Sequence, residues 1–171
     1  RPDRSHLPWF RETFGVLDDE LTIGMVAQFI ARKGHVTLLD ALPEVLKQHP
    51  RLKVILFGQG PLWDEIQARV KADALLSQHV QLPGFRKDLD RVLPCLDVLA
   101  HPAHMEGLGV SLLQAAACGV PLVGGRAGGF GPRYGAGCAW LHHIAGPAIY
   151  MHHITADTAH PIKLWHAVQP I

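Results

Sequence analysis

Short apolar runs alternate along the chain with stretches whose apolar residues recur at helical spacing. The runs Ile23–Ala27 and Val54–Phe57, with shorter ones at Val80–Leu82, Val98–Ala100 and Pro121–Val123, predict five strands. Few of them alternate polar with apolar, as expected of strands covered on both faces. Between them, Leu38, Leu39, Leu42, Val45 and Leu46 share one helical face, and Pro43 inside that stretch predicts a kink or a shortened first half. A second helix is expected to start at Pro61 and to bury Leu62, Ile66 and Val70. Leu89, Val92 and Leu93 predict a short helix, and 110–118 a compact one rich in Leu and Ala. Residues 6–14 read as a lead-in helix with Ser5 as its cap. Strands and helices in strict alternation predict an α/β domain with a parallel sheet and helices on both faces.

Composition narrows the class. Of 171 residues, 48% are hydrophobic and 18% charged, enough to build a core without disulfides or metals. The 16 Lys and Arg against 15 Asp and Glu leave a formal charge of +1, which argues against a nucleic-acid binder. Cys95, Cys118 and Cys138 show no close pairing and fit reduced thiols in a cytoplasmic setting; the first two sit among apolar residues and read as core. No apolar run is long enough to span a membrane, and association with the inner face of one stays open. The chain starts at Arg1 with no signal-peptide pattern and reads as a segment of something longer.

Three features at strand ends suggest a ligand. Gly58-Gln59-Gly60-Pro61 follows the second strand, Glu106-Gly107-Leu108-Gly109 follows the fourth, and Lys33-Gly34 sets a mobile cation after the first. In parallel α/β sheets ligands bind beyond the carboxyl ends of the strands. Free N–H groups at a helix start favour an anion, and glycine lets the backbone approach it. One such turn alone is a plain strand-to-helix connection. All three on one sheet edge point to a phosphate-bearing ligand.

In this order the pieces resemble the C-terminal, donor-binding domain of the retaining GT-B glycosyltransferases of family 4. The resemblance covers residues 11–129. It rests on Gln28-Phe29-Ile30-Ala31-Arg32-Lys33-Gly34, Gly58-Gln59-Gly60-Pro61, Leu82-Pro83-Gly84-Phe85-Arg86, Glu106 through Gln114, and Ala117 through Val123. It implies a Rossmann-like half of a GT-B fold that binds a nucleotide-diphosphate sugar as donor substrate, with no other cofactor and no metal. By the same resemblance Lys33 and Glu106 are the catalytic pair: Lys33 contacts the diphosphate, and Glu106 accepts hydrogen bonds from the sugar hydroxyls. Gln28 stands where the family often has arginine, and Arg32 is the candidate to supply that charge. Gln114 stands where a second acid usually holds the ribose; it keeps an acceptor without the strength of a carboxylate. Gly58 and Gly60 belong to the donor edge, Gly107, Leu108 and Gly109 offer backbone N–H groups, and Phe85 and Arg86 lie near the base.

The implied reaction is transfer of a sugar to an acceptor with retention. Lys33 and the helix start near Gly107 would oppose the charge growing on the departing diphosphate. Acceptor binding would come from a separate N-terminal domain, so the fragment is expected to hold donor without turning over. Two other readings stay open. One is a degenerate, non-catalytic nucleotide-binding fragment, with Gln28 and Gln114 as marks of decay. The other is a nucleotide-sugar epimerase or hydrolase, although a retaining hydrolase wants a second carboxylate where Gln114 stands.

His101, His104 and Glu106 have a spacing that can serve zinc, but with no further ligand nearby they read as ordinary loop residues. The family pattern stops near Gly129. Residues 1–129 are read as an incomplete nucleotide-sugar-binding domain and 130–171 as an atypical tail with six of the 12 histidines, three charged side chains and no persistent period. A shift of reading frame near residue 130 is the expected cause. Resequencing the gene tests it, and the absence of any frame that continues the family pattern would remove it.

Overall fold

In the computed structural model, which describes residues 2–125, 138–145 and 148–155, the apolar runs form five parallel strands. They are β1 (Leu21–Val26), β2 (Leu52–Phe57), β3 (Val80–Gly84), β4 (Val98–His101) and β5 (Leu122–Gly124). Their order in space is β3-β2-β1-β4-β5, with Ile23 of β1 opposite Val54 of β2 and Val98 of β4. The expected Rossmann-like α/β architecture is the one observed.

Successive strand residues point to opposite faces, so the sheet supports two cores. On one face Ile23, Met25, Val54, Leu56, Val98 and Ala100 pack beneath α2 (His35–Gln48), α3 (Trp63–Ala72) and α4 (Ala74–His79). On the other, Ile55, Phe57, Leu99 and Leu122 pack beneath α1 (Leu7–Phe14), α5 (Leu89–Val92) and α6 (Val110–Ala117). Burial on both sides explains why the strands read as nearly continuous apolar runs.

Several local expectations are corrected. Ser5 does not cap α1: His6 holds that position without a side-chain bond, and the Ser5 N–H donates to Asp3. Pro43 does not divide α2, which continues as one 14-residue helix. Leu38, Leu39, Ala41, Leu42, Val45 and Leu46 clamp both halves to the sheet, while Pro43 is exposed. The second predicted helix starts at Trp63, because Gly60 and Pro61 are spent on the turn. α4 has no counterpart in the sequence reading; Asp73 caps it, its Oδ1 accepting from Leu75 N at 2.8 Å and Leu76 N at 3.1 Å.

The sheet continues past β5 into an antiparallel pair, β6 (Cys138–Ala145) and β7 (Ala148–Thr155). The sequence reading found no period there. An open ladder at β5 lets an apolar, weakly charged segment extend along it whatever its pattern. The reading-frame expectation starts at residue 130, and 126–137, 146–147 and 156–171 lie outside the described residues.

Candidate functional site

β1 leads outward through α2 to β2, while β4 leads the other way through α6 to β5. The gap between the carboxyl ends of β1 and β4 is therefore the point where strand order reverses, the usual place for a ligand in an open α/β sheet. The segment 27–34 leaves β1 on one side of this gap, and 102–109 leaves β4 on the other.

Backbone contacts hold the two loops together. The His104 N–H donates to the Arg32 carbonyl at 2.8 Å, and the His104 ring pairs with Thr37 Oγ1 at 3.0 Å. Gly34 has φ +80° and lies so close to the Pro102 carbonyl that a Cβ would overlap its oxygen. Only glycine meets both demands.

Across this seam Lys33 Nζ donates to Glu106 Oε2 at 2.5 Å. The same oxygen lies 2.6 Å from His101 Nε2, and Glu106 Oε1 accepts from the Gly107 N–H at 3.1 Å. The Lys33 and Glu106 side chains are only 13% and 10% exposed, so the pair is shielded from bulk water. Burial pushes the Glu106 carboxyl up, but the hydrogen bonds from Lys33 and His101 outweigh it and bring it down to about 2. Glu106 is thus a carboxylate at neutral pH. Burial pushes the His101 ring the other way, favouring the neutral form, although its bond to Glu106 opposes this. A neutral ring facing a carboxylate must carry its proton on Nε2, which leaves buried Nδ1 without a partner.

Beneath them His35 is 1% exposed and stacks on Phe29 with ring centroids 4.2 Å apart. Neither of its ring nitrogens has a partner among the described residues. Burial, with the charges of His101 and Lys33 added, brings its pKa down to about 4. The floor of the site is therefore uncharged at neutral pH.

The structure brings Lys33, Glu106 and Gly107 together. Lys33 is not the mobile cation the sequence suggested; Glu106 has captured it. The Gly107 N–H is turned onto its own neighbour's carboxylate, and α6 starts three residues later, at Val110. A side chain at Gly107 would meet nothing within 4 Å among the described residues, and Leu108 beside it is 69% exposed. Gly109 takes a left-handed φ of 61° to start α6, and Gln114 is exposed on that helix. Gly58 and Gly60 serve the chain itself: a Cβ at Gly58 would overlap the Ala27 carbonyl oxygen, and one at Gly60 would lie 2.7 Å from that of Phe29. Gln28 and Arg32 are exposed on the β1 side. Phe85 is exposed beyond β3, whereas Arg86 is occupied by Asp88 at 2.8 and 2.5 Å and lies over the Phe14 ring.

Sequence reasoning missed His35 and the role of His101. It had grouped His101, His104 and Glu106 and read them as ordinary loop residues; His101 ends β4 and meets Glu106, while the His104 ring turns away to Thr37. The available signal was the position of His101 as the last residue of a buried strand, where a polar side chain needs a partner.

The family described as Glycosyl transferases group 1 matches residues 10–132. A GDP-mannose-dependent alpha-(1-6)-phosphatidylinositol monomannoside mannosyltransferase of Mycolicibacterium smegmatis is 33% identical over 139 residues, covering 75% of this chain and 35% of that protein. The putative glycosyltransferase EpsF of Bacillus subtilis is 34% identical over 64% of this chain and 28% of its own. The chain spans about a third of the length of the curated relatives it matches. Among solved structures, Anabaena HepE in complex with UDP and glucose aligns with a TM-score of 0.65 at 27% identity, over 75% of this chain and 35% of that one. The C-terminal domain of LpcC from Francisella tularensis shares the fold, with a TM-score of 0.64 at 21% identity over 79% of this chain and 71% of that one.

Proposed function

The chain belongs to the group 1 glycosyl transferases, and from that premise we propose that it is the donor-binding half of an enzyme that moves a sugar from a nucleotide-diphosphate sugar to an acceptor with retention. The observation that carries this reading is the Lys33–Glu106 pair across the reversal of strand order. One partner is a cation matched to a diphosphate, the other a carboxylate matched to sugar hydroxyls. A nucleotide-diphosphate sugar presents both groups a few bonds apart.

In this reading the donor's diphosphate draws Lys33 from Glu106 and approaches the α6 start beside Gly107. As the bond from the anomeric carbon to phosphate lengthens, negative charge grows on the diphosphate. Lys33 and the α6 N–H groups stabilise that growing charge more than the ground state. Glu106 fixes the sugar by its hydroxyls, which sets the anomeric carbon toward the acceptor. Retention, and membership of family 4, follow the motif resemblance. Acceptor recognition comes from chain beyond these residues, so the segment alone binds donor and does not turn over. Reduced Cys95 and Cys118 agree with a cytoplasmic setting, and no helix among the described residues is long and apolar enough to cross a membrane.

Calorimetry with UDP, GDP and ADP tests the reading. One nucleotide should bind saturably, and Lys33→Ala should weaken it by about tenfold or more, the loss of one charge-assisted bond. A chain that melts cooperatively yet binds none of them overturns the donor reading and leaves the non-catalytic fragment. Release of free sugar from a bound nucleotide sugar without acceptor would instead indicate a hydrolase.

A further inference from the structure

Three groups donate to the Glu106 carboxylate, and they differ in what a ligand does to them. Lys33 is a cation on the turn after β1, and a diphosphate would compete for it directly. Gly107 is the next residue in the chain and moves with Glu106. His101 alone stands on the rigid sheet: it is the last residue of β4, 3% exposed in its side chain, with its carbonyl held by the Gly125 N–H at 2.9 Å.

We propose that His101 is a positioning residue for the sugar end of the donor, its Nε2–H holding Glu106 in place when Lys33 turns to the diphosphate. The proposal rests on the donor-site reading above and adds a residue and a division of labour to it. Glu106 Oε2 takes two donors, at 2.5 Å from Lys33 and 2.6 Å from His101. Once Lys33 is shared with phosphate, a carboxylate without His101 is free to rotate, and its hydroxyl contacts lose their aim. With His101, Oε2 stays anchored to the sheet, while Oε1 keeps the Gly107 N–H and a further lone pair for a sugar hydroxyl.

The arrangement needs a proton on His101 Nε2, which the neutral ring supplies, and its surroundings favour that form. The titratable groups facing it are Lys33 from the turn after β1, His35 from α2 and Glu106 from its own loop. The Lys33 charge disfavours a second positive charge, and His35 is neutral. Only Glu106 favours one, and it is satisfied by the single Nε2–H. Such a residue acts through Glu106 and never touches the donor.

The test separates the sugar from the nucleotide. On the 171-residue chain, His101→Ala should leave UDP or GDP affinity within about twofold and remove about tenfold of the extra affinity that UDP-glucose or GDP-mannose gains from its sugar. His101→Gln, whose amide N–H reaches the same place, should restore most of it. A carbon-13 titration of the Glu106 carboxyl, assigned with Glu106→Gln, should show its pKa raised in His101→Ala and returned toward the native value in His101→Gln. Equal loss of nucleotide and nucleotide sugar, or an unmoved Glu106 titration, overturns the proposal. A native chain that binds no nucleotide overturns the donor reading itself and this proposal with it; that failure shows before any variant is made.

Discussion

Gly34→Ala tests whether the two halves of the site are held by backbone contact. Gly34 sits at φ +80°, between Lys33 and the first residue of α2, with its Cα against the Pro102 carbonyl. The obstacle is backbone, so no side-chain rotation relieves it. A left-handed alanine costs about 1–2 kcal/mol. Pushing Pro102 away adds about 1–3 kcal/mol, as overpacking usually does. The total is roughly 2–5 kcal/mol, which at about 2–4 °C per kcal/mol lowers the melting temperature by roughly 4–20 °C. Differential scanning calorimetry of the native chain and the variant measures this directly. Gly107→Ala is the matched control, since it needs no left-handed backbone and meets nothing within 4 Å among the described residues. It should stay within about 0.5 kcal/mol of native. A Gly34→Ala chain that melts within about 2 °C of native would show that the loops are not locked together and that the seam gives way cheaply. Equal losses in both variants would show that the site tolerates no substitution and that Gly34 is not special.

Two further outcomes follow from particular residues. The unfolded chain protonates His35 near 6.5, whereas the folded chain resists until about pH 4. The unfolded state thus binds the extra proton between those values, and stability is lost as pH falls through that window, by at most about 3 kcal/mol. His35→Phe keeps a ring against Phe29 and should flatten the urea-unfolding difference between pH 4.5 and 7; an unchanged difference would assign the effect to other histidines. Asp73→Ala removes both N-terminal bonds of α4 and should cost about 1 kcal/mol, with Asp73→Asn close to native. Indistinguishable denaturation curves for the alanine variant and native would show that this short helix is held by Leu76 alone.

The strands were legible because their cause is local. Burial on both faces demands unbroken apolar runs, and β1 through β5 lie on the runs that announce them. α2 was legible as a helix, but its passage through Pro43 was not, since neighbouring contacts and not local preference keep it whole. α4 escaped notice because six residues are too few to show a period, and its start depends on one aspartate. At the site, the motif order already assigned Lys33 and Glu106 to one edge. It was silent on their contact, on His101 beneath them and on the two glycines that serve backbone packing.

The division has a physical origin. Sequence alone determined the α/β class, which follows from periodicity along the chain, and the order of motifs whose family resemblance implies a diphosphate and a sugar at one sheet edge. Only the tertiary structure decided that Lys33 and Glu106, 73 residues apart, share one oxygen with His101. That contact exists because β4 pairs with β1 rather than with β3, its predecessor in the chain. Strand adjacency of this kind is set by how both faces of the sheet are covered, a property of the whole fold that no local pattern records.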